Sequence, residues 1–187
     1  KVKGKLILII SDIKDGLPQR VAEYVGIKKT DLPSVLITDT TVDLKKYKME
    51  GDVNYDNVIK FIDDWENKKI TPYLKSAEEP KENKDDVFVV VGKTFKKEII
   101  DNDKDVLLLF YAPWCGHCKA LHPKYEEAAK KLKAKNPKLL LAKIDATENE
   151  VESVHITGFP TIKFYPGNKK DKAPITFNGE RTTEGII

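Results

Sequence analysis

The sequence predicts an α/β protein: one near-complete unit with a mixed sheet flanked by helices, preceded by a partial unit of the same class. Three observations carry this. Short apolar runs of strand length alternate with segments of helical periodicity through most of the 187 residues. A densely charged stretch, Lys75 to Asp86, divides the chain. Beyond it, a run apolar at every position, Val106 to Tyr111, leads into the longest amphipathic helix. At roughly 150 residues per domain, the length accommodates one large unit or two small ones, and the charged break favours two.

In chain order, Leu6 to Ile10 reads as a buried strand, Leu17 to Tyr24 as a short helix with Pro18 in its first turn, and Val35 to Thr38 as a second strand. Val42 to Tyr47 reads as a hairpin partner ending at Gly51, after which Val58, Ile59, Ile62 and Trp65 follow helical spacing. These elements need a sheet to pack against. Residues 1–74 alone supply little surface for a core, so an unsatisfied sheet edge is expected there. In Lys75 to Asp86, eight of twelve residues are charged and Ala77 is the only apolar side chain, which reads as a linker.

The second series begins with a strand at Val87 to Val91. Val106 to Tyr111 is the strand that must be central, because a run apolar on both faces needs cover on both, and Leu139 to Ile144 is a third. Between the last two, Leu121, Tyr125, Ala128 and Leu132 form one helical stripe, with Glu126, Glu127, Lys130, Lys131 and Lys133 turned outward and Pro123 expected to kink the helix. The predicted organisation is therefore a partial unit at 1–74, a linker at 75–86 and a second unit at 87–187. A weak internal repeat relates the two units: Leu32-Pro33-Ser34 leading to Val35 resembles Phe159-Pro160-Thr161 leading to Ile162, each expected to follow a short helix.

Composition excludes several functions. The longest apolar run, Val106 to Ala112, has seven residues, far below the ~18 of a membrane-spanning helix. Net charge is +3, and Arg20 and Arg181 are the only arginines, so nothing resembles a row of phosphate readers and nucleic acid is not expected as a partner. The basic start followed by only five apolar residues is too short for a signal peptide. With no initiator methionine, the chain reads as part of something longer.

The two cysteines carry the chemistry. Cys115 and Cys118, with Gly116 and His117 between them, join the end of the central strand to the start of the long helix. Residues three apart on a helix lie within the ~4.4–6.8 Å between Cα atoms that a disulfide tolerates. As a structural staple the bridge would be weak, since loop-closure entropy assigns a four-residue ring only about 2 kcal/mol. Zinc would need four ligands, and only His117, His122 and His155 could supplement the pair. Covalent haem attachment fails because Lys119 stands where its histidine belongs. Free N–H groups at the helix start stabilise a thiolate, chiefly on Cys115, whereas Cys118 lies one turn deeper. Cys115 is therefore the expected nucleophile, Cys118 the resolving thiol, and His117 a source of positive charge that favours the reduced dithiol.

The run Phe110-Tyr111-Ala112-Pro113-Trp114-Cys115-Gly116-His117-Cys118-Lys119 resembles the active-site segment of the protein disulfide isomerase family. Phe159-Pro160-Thr161 resembles its cis-proline loop and Asn178-Gly179-Glu180-Arg181 its late arginine motif. Residues 1–74 more loosely resemble the second half of that family's redox-inert, substrate-binding domain. The resemblance implies two thioredoxin-like units, the second catalytic and lacking most of its last helix. It also implies a cis bond at Pro160, substrate pairing at the Phe159 backbone with Trp114 as a further contact, and an approach of Arg181 to Cys118.

One departure stands out. The family's buried glutamate, six residues before the first cysteine, is replaced by Leu109, while its lysine partner persists as Lys143. Lys143 must then extend to solvent, become neutral or find another acid. The implied activity is thiol–disulfide exchange with no cofactor beyond the dithiol. Unfolded or disulfide-containing proteins would be its substrates, glutathione or an upstream thiol oxidase its partner, and the endoplasmic reticulum lumen its location. The alternatives are a thioredoxin-type reductase and a chaperone-like binding module whose cysteines are incidental.

Overall fold

The computed structural model describes residues 6–41, 44–152, 154–168 and 173–187. Two units divide between Tyr73 and Leu74.

The second unit is organised by β4 (Asp105–Tyr111), whose residues 106–110 are all buried. It is the middle strand of a five-stranded sheet, joined by β3 (Phe88–Val89), β5 (Leu139–Asp145), β6 (Thr161–Tyr165) and β7 (Ile175–Thr176) in the order β3-β5-β4-β6-β7. The first three strands in that order are mutually parallel, and β6 and β7 are antiparallel to their neighbours, giving the expected mixed sheet. Alternation along β4 sends Leu107 and Leu109 to one face and Val106, Leu108 and Phe110 to the other. The first face is covered by α4 (Gly116–Lys135) through Leu121, Tyr125, Ala128 and Leu132, and by Ile186 of α5 (Thr183–Ile186). The second is covered by Phe95 of α3 (Gly92–Phe95) and by Ile99 in the π-helical turn Lys96–Ile100 that continues it.

The helix α4 continues through Pro123, which lacks the N–H that would bond the Lys119 carbonyl. Tyr125 is buried beneath it, and its hydroxyl donates to the Leu107 carbonyl oxygen at 2.6 Å, with the Ala142 carbonyl oxygen 3.3 Å away. One phenol thus ties α4 to both parallel strands. The stretch Lys75–Asp86 has no helix or strand but is hydrogen-bonded along this unit. The Lys75 N–H donates to Glu150, the Glu150 N–H returns a bond to Lys75, and the Ala77 and Gly92 N–H groups both donate to Oδ1 of buried Asn149.

In the first unit, α1 (Leu17–Val25) opens with Pro18 and closes at Gly26, whose φ of 80° suits glycine. The strands β1 (Leu36–Asp39) and β2 (Lys45–Lys48) form an antiparallel pair, and α2 (Tyr55–Glu66) is capped by the Asn54 side chain. Ile37, Met49 and Phe61 form its small core. Val42, the predicted start of the hairpin partner, lies outside the described residues.

Two expectations are corrected. Leu6 to Ile10 is not a strand: only Leu6 reaches the core, and Ile7 to Ile10 are 80–90% exposed. A lone apolar run becomes a strand only when a neighbour accepts its backbone bonds, and the sheet described in this unit has two strands. Among the described residues of 150–156 there is no short helix leading to Phe159, where the repeat suggested one: they are irregular. The repeated Leu-Pro and Phe-Pro pairs do share a backbone feature, since both peptide bonds are cis.

Replacing Tyr125 with Phe removes a buried bond between helix and sheet. The expected loss is ~1 kcal/mol, read as a lower urea midpoint with unchanged slope; an unchanged midpoint would show that the hydroxyl contributes nothing.

Candidate functional site: a dithiol at the start of the long helix

The strand β4 ends at Tyr111, and a tight loop through buried Ala112, Pro113 and exposed Trp114 delivers Cys115 to the N-cap position of α4. Both cysteines are free thiols. Cys118, on the first turn, is 1% exposed, while Cys115 is 8% exposed at the rim. The Cys118 N–H donates to Cys115 Sγ at 3.4 Å, and the Cys115 thiol donates to the Phe159 carbonyl oxygen at 3.7 Å. Gly116 and His117 are exposed between them.

This geometry drives the two thiols apart in acidity. Cys115 is lowered from the ordinary thiol value by the neighbouring Cys118 thiol, with further help from the Cys118 and His117 backbone N–H groups and the Arg181 charge, against an opposing effect of burial. Cys118 is pushed up to about 11, first by burial and then by its neighbour, with Arg181 acting against the rise. One thiol is ready to ionise, and the other is held as S–H.

The remaining predicted residues surround this pair with one exception. Phe159 packs against the cysteine cluster, and Trp114 meets its ring edge-on with centroids 6.1 Å apart. Pro160 is buried behind a cis peptide bond. Arg181 donates to the Pro160 carbonyl oxygen at 3.1 Å, a position from which its charge bears on both thiols. The exception is Lys143. It is the register partner of Leu109, which is fully buried in the apolar layer under α4, and its ammonium pairs with Glu126 at 3.4 Å. Of the three outcomes open to this lysine, it has found another acid.

Glu126 is exposed on the outward face, as the helical pattern predicts, but its pairing with Lys143 and any role of His122 in exchange chemistry were not read from the sequence. The helical interval of four between His122 and Glu126 was visible, but their contacts with β4 and β5 depend on how α4 lies on the sheet. His122 packs edge-on against Tyr111 with ring centroids 4.7 Å apart, and its Nε2 is buried without a hydrogen-bond partner.

Strand order, a helix on each face and a dithiol at a helix N-terminus opposite a cis-proline define a thioredoxin-class redox unit. Residues 86–187 match the family profile described as thioredoxin, and the chain belongs to that family; residues 1–64 match a second profile described as a thioredoxin-like domain. The chain is 39% identical over 186 residues to protein disulfide-isomerase of Gallus gallus, covering 98% of this chain and 36% of that protein. It is 48% identical over 170 residues to protein disulfide-isomerase of Aspergillus niger, covering 88% and 32%. With protein disulfide isomerase-like 1-4 of Arabidopsis thaliana it shares 40% identity over 181 residues, covering 96% and 30%. The chain thus spans about a third of the length of these curated relatives.

Two alkylation outcomes test the electrostatics. Iodoacetamide at neutral pH should label Cys115 and spare Cys118, whose thiol ionises only near pH 11. Removing the Arg181 charge as Arg181→Met should raise both thiol pKa values, moving the midpoint of Cys115 labelling to higher pH; an unmoved midpoint would show that the guanidinium does not reach the sulfur electrostatically.

Proposed function

We propose that this chain is a thiol–disulfide oxidoreductase and isomerase acting on folding proteins through Cys115 and Cys118. The observation that carries the reading is the opposite displacement of two adjacent thiols, one toward thiolate and one away from it. The Cys115 thiolate attacks one sulfur of a substrate disulfide, forming a Cys115–substrate bond while the other substrate sulfur leaves as a thiolate and takes a proton. Cys118 then gives up its proton and attacks Cys115 Sγ. The Cys115–Cys118 bond forms, the bond to substrate breaks, and the substrate leaves reduced. Run in reverse, the oxidised pair accepts two electrons from substrate thiols, and release before resolution permits rearrangement.

His117 lowers the pKa of the Cys115 thiol through its backbone N–H and favours the reduced pair, while Gly116 leaves the helix start open to substrate. The Phe159 carbonyl, occupied by the Cys115 thiol in the free protein, is placed to bond an extended substrate segment beside Trp114. Arg181, tied to the Pro160 carbonyl, lowers the pKa of both thiols. Unfolded or disulfide-containing proteins are the substrates, with glutathione or an upstream thiol oxidase restoring the pair, in the endoplasmic reticulum lumen. The relatives' names support the exchange and isomerase part of this reading. Among the described residues, no helix is long and apolar enough to cross a membrane.

Refolding of a scrambled disulfide protein decides the reading. Cys115→Ser should abolish exchange, and Cys118→Ser should accumulate mixed disulfides on Cys115. Full refolding activity in the double serine variant would instead mark a binding module with incidental cysteines. A glutathione titration separates isomerase from reductase: His117→Pro should make the reduction potential more negative, and an unchanged value would remove His117 from the mechanism.

A further inference from the structure

The resolving step requires a buried thiol held near pKa 11 to lose its proton quickly, and the residue six positions before Cys115 is an apolar leucine. We propose that His122 is the proton acceptor for Cys118, its Nε2 taking the thiol proton directly or through one water. The inference rests on the exchange reading above and deepens it.

Three features of position point to His122. It lies four residues after Cys118 on α4, so the two side chains share a face, with Cβ atoms ~5–6 Å apart. Helical side chains lean toward the helix N-terminus, which carries the imidazole back over the turn that holds Cys118. The ring of Tyr111 packs against both the cysteine cluster and His122, so the imidazole and the dithiol flank one side chain.

The state of the imidazole also fits. Nε2 is buried and has no hydrogen-bond partner, an arrangement that costs free energy unless the atom is used. Burial, followed by the charge of Lys143, lowers the pKa below the ordinary histidine value, with Glu126 acting in the opposite sense. The ring is thus neutral near pH 7 and can accept a proton. The charged groups that bear on it are Lys143 on β5 and Glu126 on its own helix, and the Tyr111 phenol on β4, whose pKa is raised and which stays protonated, is in ring contact with it.

In the balanced step, the Cys118 S–H bond breaks, its proton passes to Nε2 and its electron pair forms the Cys118–Cys115 bond. The Cys115–substrate bond breaks, and the departing thiolate takes the proton back from the imidazolium. His122 ends neutral, and the substrate ends as a thiol.

Ellman's reagent reports both steps on the whole chain: one thionitrobenzoate leaves on attack by Cys115 and a second on resolution by Cys118. Stopped-flow records should show a second phase with an acidic limb below pH 6.5. In His122→Gln that phase should slow ~100-fold at pH 7, the low end for loss of a general base, and lose the limb. Two neighbours move the limb in opposite directions if His122 titrates there. Lys143→Met removes a cation and should shift it to higher pH, whereas Glu126→Gln removes an anion and should shift it to lower pH. A second phase unaffected by His122→Gln, or a limb unmoved by both neighbours, overturns the assignment. If His122→Gln does not fold, the two neighbour variants decide alone. Absence of both phases in the wild type would instead overturn the exchange reading itself.

Discussion

A strand apolar at every position survives only where both of its faces are covered, and the second unit is arranged to meet that requirement for Val106–Phe110. Parallel β5 and antiparallel β6 satisfy its backbone on either side. The layers led by α4 and by α3 cover its two faces. The strand must then leave the core where α4 begins, because the helix that covers one face starts five residues after the strand ends. That junction sets a rigid, buried strand end against a helix N-terminus with free N–H groups, and the two cysteines fall within it.

The asymmetry between the thiols follows from the same junction. At the cap position Cys115 accepts a backbone bond at the rim, whereas one helical turn carries Cys118 into the layer between sheet and helix. Neither acidity belongs to a cysteine as such. Both come from where the start of α4 places the two sulfurs, Cys115 beside the Cys118 thiol and Cys118 in a buried layer, and the Arg181 charge lowers both.

Much of this was legible in the chain. Continuous apolarity identified the central strand, the helical stripe identified the buried face of α4, and the interval between the cysteines identified the dithiol, because each signal is local. The failures have a common physical origin in contacts distant along the sequence. Apolar Leu6 to Ile10 reads as a strand, yet strand formation depends on a neighbour that no local pattern specifies. Acidic Glu126 is exposed as its outward position on the helix leads one to expect, but its pairing with Lys143, a lysine seventeen residues away on β5, is a contact that no local pattern specifies. The short strand β7 and the π-helical turn after α3 carried no periodicity long enough to register.

With apolar Leu109 fully buried in the layer under α4, that position offers no carboxylate, and the proposed use of His122 differs from a carboxylate in its electrostatics as well as its proton path. A carboxylate is anionic when ready to accept a proton, and near the dithiol its charge would raise thiol pKa values, that of the attacking thiolate included. An imidazole is neutral when ready. Placed at His122, it leaves the Cys115 thiolate undisturbed before resolution and becomes a cation only as the substrate sulfur departs with negative charge. Lys143 and Glu126 fit the same logic. The charge of Lys143 disfavours an imidazolium, and Glu126, paired with that lysine, acts on His122 in the opposite sense. The ion pair therefore adjusts the proton affinity that burial has already lowered at His122, which is a different task from donating or accepting the proton itself.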